Sequence, residues 1–151
     1  LSKLMISGTM REHTYAAMLE NLLAIYAELE SDGLIVKREV LRYQHTLDDL
    51  LRLGGRRWPR ANSVDEYCQY LRGLDAKARW AHIYVHYLGN MYGGQMLRKT
   101  LPGPTGHLEF EDLKGCVAYI RENITDVDPV EANQAFEWTI RIYDELHQLF
   151  G

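Results

Sequence analysis

Apolar residues recur at spacings of three and four along most of the chain, the period of an amphipathic helix. Tyr15, Met18, Leu19, Leu22, Tyr26 and Leu29 form one such stripe. It predicts a helix opened by the capping box Thr9-Met10-Arg11-Glu12 and closed near Asp32-Gly33. Residues 1–8, LSKLMISG, read as the tail of a preceding element followed by a turn. Val40, Leu41, Leu47, Leu50 and Leu51 predict a second helix over about Lys37 to Leu53, stopped by Gly54-Gly55. Ser63-Val64-Asp65-Glu66 is a second capping box, followed by the stripe Val64, Tyr67, Cys68 and Leu71. A break near Gly73–Asp75 leads into a helix expected over Ala81 to Leu101 and ended by Pro102-Gly103-Pro104. His107 to Phe110 form a short connection before a helix over Glu111 to Asn123. Asp128-Pro129-Val130-Glu131 is a third capping box, with proline at the first helical position. It opens a closing helix whose stripe includes Ala135, Phe136, Ile140, Tyr143 and Leu146. No stretch alternates with period two for long enough to be a strand. The fold class expected is all-α, a single domain of about six helices spanning residues 1–151.

The Ala81–Leu101 stretch, AHIYVHYLGNMYGGQMLRKTL, departs from a plain core helix. It carries Gly89, Gly93 and Gly94 in its middle, each costing about 1 kcal/mol of helix preference relative to alanine. They bare the backbone on one side, which lets a flat or bulky group approach and permits a bend. Close helix packing through small residues explains the same spacing equally well. The flanking residues favour a site, since His82, His86, Asn90 and Gly93 share one helix face.

Composition narrows the class. With 151 residues, 46% apolar and 25% charged, the chain can bury a substantial core. A net charge of −4 and a pI near 5.9 argue against a general nucleic-acid or anionic-membrane surface. The basic cluster in GGRRWPRAN (Gly54 to Asn62) reads as a solvated loop. Cys68 and Cys116 lack CxxC spacing, so neither a disulfide framework nor a cysteine metal site is indicated. Cys68 reads as a small buried hydrophobe, and the default compartment is reducing and cytoplasmic. No apolar run is long enough to span a membrane, and no signal peptide is evident. The chain begins at Leu1, which suggests a fragment or a trimmed sequence.

Common catalytic motifs are missing: there is no HExxH, GxSxG, Walker-type loop or GxGxxG. His82 and His86 could reach one metal from adjacent turns, but no acidic residue shares their face nearby. What remains is an apolar cleft between helices that takes a planar macrocycle against the glycine-bared face. Basic residues would then meet its acidic groups and a histidine its metal.

The run YLGNMYGGQ (Tyr87 to Gln95) resembles the distal-helix motif of the heme oxygenase family, YLGDxSGGQ. The resemblance extends through NLLAIYAELE (Asn21 to Glu30), LDDLLRLGGRRW (Leu47 to Trp58), AHIYVHYLG (Ala81 to Gly89) and EANQAFEWTIRIYDEL (Glu131 to Leu146). It implies a helical fold of the heme oxygenase type with heme as both cofactor and substrate. It also implies opening of the macrocycle to biliverdin, iron and carbon monoxide, with electrons from a reductase or ferredoxin. By position it places Tyr26 near a distal water network, with Asn90 and His86 completing that catalytic group. It gives Gly89, Gly93, Gly94, Tyr84 and Phe136 heme contacts, and Arg121 a propionate-facing role.

Two departures bear on activity. The family's proximal histidine sits on a helix ahead of the one opening at Thr9, so that helix is expected to be missing here. His13, in HTYAAMLEN, is the iron ligand this chain offers in its place, although the alignment turns it outward. The family's distal aspartate is Asn90, and the following serine is Tyr92. An amide hydrogen-bonds but carries no negative charge and accepts no proton as a carboxylate does. His86, standing at the family's usual arginine position, is the substitute proton donor. Two readings stand: a divergent heme oxygenase, or a protein of that fold that binds a tetrapyrrole without opening it.

Overall fold

A computed structural model of the chain describes residues 1–55, 58–124 and 126–151. The Arg56 and Arg57 portion of the expected basic loop lies outside the described residues. The described residues form seven α-helices and no strand: α1 (Ser2–Ser7), α2 (Glu12–Glu30), α3 (Tyr43–Arg52), α4 (Asn62–Arg72), α5 (Ala76–Leu97), α6 (Leu113–Asn123) and α7 (Pro129–Phe150). Short 3₁₀ turns at Arg38–Val40 and Gly106–Leu108 join them. α2 packs against α3, α4 and α7, while α5 packs against α6 and α7. Tyr15, Leu19, Leu29, Tyr67, Leu71, Ile83 and Tyr87 are fully buried where these helices meet. Cys68 and Cys116 are buried free thiols in that core.

Three capping expectations meet different outcomes. Asp128 caps α7 as read, accepting the amides of Val130 and Glu131. Its box is only half formed, because the Glu131 carboxylate turns instead to His82 and Tyr70. Thr9 does not cap α2, which begins at Glu12 with Arg11 at the capping position. The α1 segment ends at Gly8, whose φ of 74° suits a residue without Cβ. That reversal draws the Thr9 amide to the Leu4 carbonyl and its hydroxyl to Ser7. Ser63 does not cap α4 either. Glu145, from α7, accepts the amides of Asn62 and Ser63, so a distant carboxylate supplies the cap.

The expected helix over Lys37–Leu53 is interrupted. Arg42, only 1% exposed, donates to the carbonyls of Glu39, Val40, His107 and Glu109 and lies over the Phe110 ring. Glu30 accepts the amides of Arg42 and Tyr43. These bonds hold the chain in a 3₁₀ turn before α3 starts. α5 is also displaced from its expected bounds. Asp75 caps it through the Ala78 amide, and it ends at Leu97, before the Pro102–Pro104 segment. α5 remains continuously helical across all three glycines. No described helix is long and apolar enough to cross a membrane.

Candidate functional site

One face of α5 borders a cleft of about 550 Å³ closed by α1, α2, α7 and the 3₁₀ turn at Gly106–Leu108. Its apolar walls come from residues such as Met18, Leu22, Ile25, Val85, Leu97 and Phe136. Among the described lining residues there is no Lys or Arg.

The glycines of α5 play two parts. A Cβ added at Gly89 or Gly93 meets nothing within 4 Å, so both open onto free space along the cleft. A Cβ at Gly94 would stand 2.8 Å from Leu108 Cδ2. Gly94 is thus a packing glycine, which lets the 3₁₀ turn lie against α5. Both explanations of the spacing hold, each for different residues.

Asn90 projects from the same face, and its Nδ2 donates to the Tyr26 hydroxyl at 2.7 Å. Tyr26 is 2% exposed. Burial holds its phenol well above the usual range, against the smaller opposing effect of the Asn90 bond. Tyr26 stays protonated at neutral pH, and its own O–H has no acceptor among the described residues. The pair presents a hydroxyl proton and an amide oxygen in the cleft lining.

His86 lines the same cleft, with Nε2 2.7 Å from the Tyr67 hydroxyl. Burial lowers its pKa to about 3, and His82 one turn away adds to the shift. His82 is itself fully buried, between Tyr67 and Glu131. The sequence offered no acidic partner for this pair, yet α7 supplies Glu131 at 2.7 Å from His82 Nε2. A carboxylate on a distant helix is invisible to spacing on α5.

A second imidazole in the lining, His107, was not among the expected site residues. Asp49 accepts its backbone amide at 2.8 Å, lies 2.8 Å from its Nδ1 and accepts the Gly106 amide. Burial alone would raise the Asp49 carboxyl, but the bonds and charge of His107 and the Gly106 amide outweigh it and leave it lowered. The carboxylate accepts from Nδ1 and fixes the orientation of the ring. A Cβ at Gly106 would lie 2.8 Å from Asp49 Oδ1, so this glycine makes the close approach possible. The available signal was Asp49 itself, a carboxylate beside Leu50 on the buried side of α3.

The structure therefore brings Tyr26, His86, Gly89, Asn90, Gly93, Gly94 and Phe136 to one cleft. It does not bring Tyr84, Arg121 or His13 there. Tyr84 packs against the core near Arg121 of α6. Arg121 is exposed and donates to the Tyr92 hydroxyl at 2.8 Å, which raises its pKa. Tyr92, which stands where the family motif has serine, is 53% exposed and lies outside the cleft lining. His13 is exposed near the start of α2, its ring 6.1 Å from Trp58. Helical phase along α5 explains the two tyrosines. Tyr84 and Tyr92 lie off the face that carries His86, Asn90 and Gly93.

Solved structures share this fold. Heme oxygenase-2 from Synechocystis sp. PCC 6803, solved with heme and NO, superposes with a TM-score of 0.82 at 23% identity, covering 98% of this chain and 77% of that one. Heme oxygenase-1 from the same organism, solved with heme, gives 0.78 at 24% identity over 98% and 83% of the two chains. The heme oxygenase of Leptospira interrogans gives 0.69 at 21% identity over 98% and 87%. In sequence, heme oxygenase 1 of Synechocystis is 25% identical over 181 aligned residues, spanning 95% of this chain and 75% of that protein. The heme oxygenase family model matches residues 1–139, and the chain belongs to the heme oxygenase family.

Proposed function

We propose that the cleft binds heme and that the protein opens it oxidatively to biliverdin, iron and carbon monoxide. The observation that carries this reading is the Tyr26–Asn90 pair set beside the open backbone of Gly89 and Gly93. The site suits the macrocycle itself, with a volume within the range of about 300–1,000 Å³ usual for ligand clefts and a mainly apolar lining. The described lining offers no Lys or Arg for its acidic groups, and its histidines are His86 and His107 rather than His13. When bound, heme supplies both the redox centre and the ring that is cut, with dioxygen and electrons from a reductase or ferredoxin.

The residues of this chain then have separate tasks. Gly89 and Gly93 admit the flat face of the ligand close to α5. Leu22, Ile25, Val85 and Phe136 cover it and exclude water. Tyr26 offers a hydroxyl proton, and Asn90 orients polar groups beside it through its amide. His86 is neutral and presents Nδ1 for proton exchange, since Nε2 is taken by Tyr67. His107, held in orientation by Asp49, adds a fixed imidazole to the cleft lining.

A second reading, heme binding without ring opening, draws on Asn90. A neutral amide stands where the family motif carries a carboxylate, so that position has no negative charge and does not take up a proton as a carboxylate does. Aerobic incubation of the hemin-loaded protein with ascorbate distinguishes the two. Decay of the Soret band with growth of biliverdin absorption supports ring opening. A stable Soret band limits the protein to binding.

A further inference from the structure

Four side chains outside the Tyr26–Asn90 pair form one unbroken hydrogen-bonded path. Glu131 Oε2 lies 2.7 Å from His82 Nε2. His82 Nδ1 lies 2.6 Å from the Tyr67 hydroxyl, which lies 2.7 Å from His86 Nε2. The Glu131 end is at the surface, its side chain 15% exposed. The His86 end lines the cleft. The middle is dry: His82 and Tyr67 are fully buried, and Trp138 stacks on Tyr67 with ring centroids 5.3 Å apart.

The geometry points to a proton relay from solvent to the cleft through Glu131, His82, Tyr67 and His86. The inference rests on the cleft being the reaction site. The polarity of the path follows from donors and acceptors. Ionised Glu131 also accepts the Tyr70 O–H at 2.7 and 2.9 Å. It therefore accepts a hydrogen bond from His82 Nε2–H, and His82 Nδ1 accepts the Tyr67 O–H. The Tyr67 oxygen then accepts His86 Nε2–H, leaving His86 Nδ1 as a lone pair toward the cleft. When Glu131 is protonated the whole path reverses, and His86 presents an N–H.

Delivery converts the second state into the first. His86 Nδ1–H passes to an acceptor in the cleft, the Tyr67 proton to His86 Nε2, the His82 Nδ1 proton to Tyr67, and the Glu131 proton to His82 Nε2. Each step breaks one N–H or O–H bond and makes another, and nothing is oxidised. Glu131 recovers its proton from water while the two neutral imidazoles exchange tautomers. The depressed pKa values of both histidines suit transfer between neutral rings, since neither holds a resident charge.

The test uses the heme-free protein and the ¹⁵N signals of its imidazoles at neutral pH. In the native protein His86 should carry its proton on Nε2. Glu131→Gln offers an N–H to His82 and should move the His86 proton to Nδ1, two hydrogen-bonded groups away. Glu131→Ala should release the lock and average the two His86 nitrogen signals. Both effects should vanish in a Tyr67→Phe background, where the bridging hydroxyl is gone, with helical circular dichroism showing that each variant is folded. His86 signals unchanged by both Glu131 variants would overturn the relay. So would equal shifts with and without Tyr67, which would mark a rearrangement of α7 instead. Because no heme is present, failure of the relay and failure of heme binding are separately visible.

Discussion

Asn90 Nδ2 and the Tyr26 hydroxyl meet at 2.7 Å, with the amide as donor and the phenol oxygen as acceptor. This direction follows from the residue at position 90. An aspartate there would accept the Tyr26 O–H and carry a negative charge into the cleft. We expect Asn90→Asp to raise the ring-opening rate by about tenfold or more, the scale at which positioned acid–base groups act. Single-turnover decay of the Soret band measures it. An unchanged rate would mean that position 90 does not organise the proton chemistry.

Gly89 and Gly93 should separate stability from binding. A methyl group fits at either position without contact, and each glycine weakens the helix by about 0.5–1 kcal/mol relative to alanine. We expect Gly89→Ala and Gly93→Ala to stabilise the fold by roughly that amount while weakening hemin binding about tenfold. Gly94→Ala should show no such gain, because its Cβ drives into Leu108. Urea unfolding and hemin titration of the same three variants give both quantities.

Stability should fall with pH in a defined window. His82 and His86 are held neutral, below the free value of 6.5, chiefly by burial. Above about pH 6.5 both the folded and unfolded chains leave these rings uncharged. Below it the unfolded chain binds protons that the folded chain refuses, so stability drops as pH falls toward 3. For His86 the loss at pH 5 is on the order of 1–2 kcal/mol. Asp49 adds a second phase. Its folded carboxyl is depressed, so its contribution is present above the free value of 3.8 and is lost as pH falls through the folded pKa. Urea midpoints measured from pH 7.5 to 4 check the first phase. A flat profile between pH 7 and 5 would contradict it.

Arg42 should be among the costliest side chains to remove. Truncating it leaves the carbonyls of Glu39, Val40, His107 and Glu109 without their donor. We expect Arg42→Ala to cost roughly 3–5 kcal/mol. Lysine should restore little of it, because an ammonium cannot reproduce the planar fork. Thermal unfolding measures the effect. A loss under about 1 kcal/mol would show that these bonds are replaced by water.

Much of the fold was legible in periodicity. The stripes on α2, α4 and α7, the left-handed Gly8 turn and the Asp128-Pro129 start all reflect local chemistry. The segments that misled were governed by distant partners. Glu145 caps α4 from α7, and Arg42 breaks the helix expected after Lys37 through carbonyls more than sixty residues away. The candidate site divides in the same way. Tyr26, His86, Asn90 and the cleft glycines follow from motif and helical phase, whereas Tyr84 and Arg121 match by motif position but not by face. Asp49–His107 and Glu131–His82 join residues 58 and 49 positions apart, and no local pattern encodes such pairs.

The most direct test of the account is a hemin titration followed by optical absorption, comparing the native chain with Gly93→Leu. The cleft reading requires a saturating Soret band for the native chain. It also requires that band to be lost or strongly weakened in Gly93→Leu, whose side chain extends into the open space beside Gly93. No Soret shift in the native chain, or equal affinity in the two proteins, would contradict heme binding in this cleft.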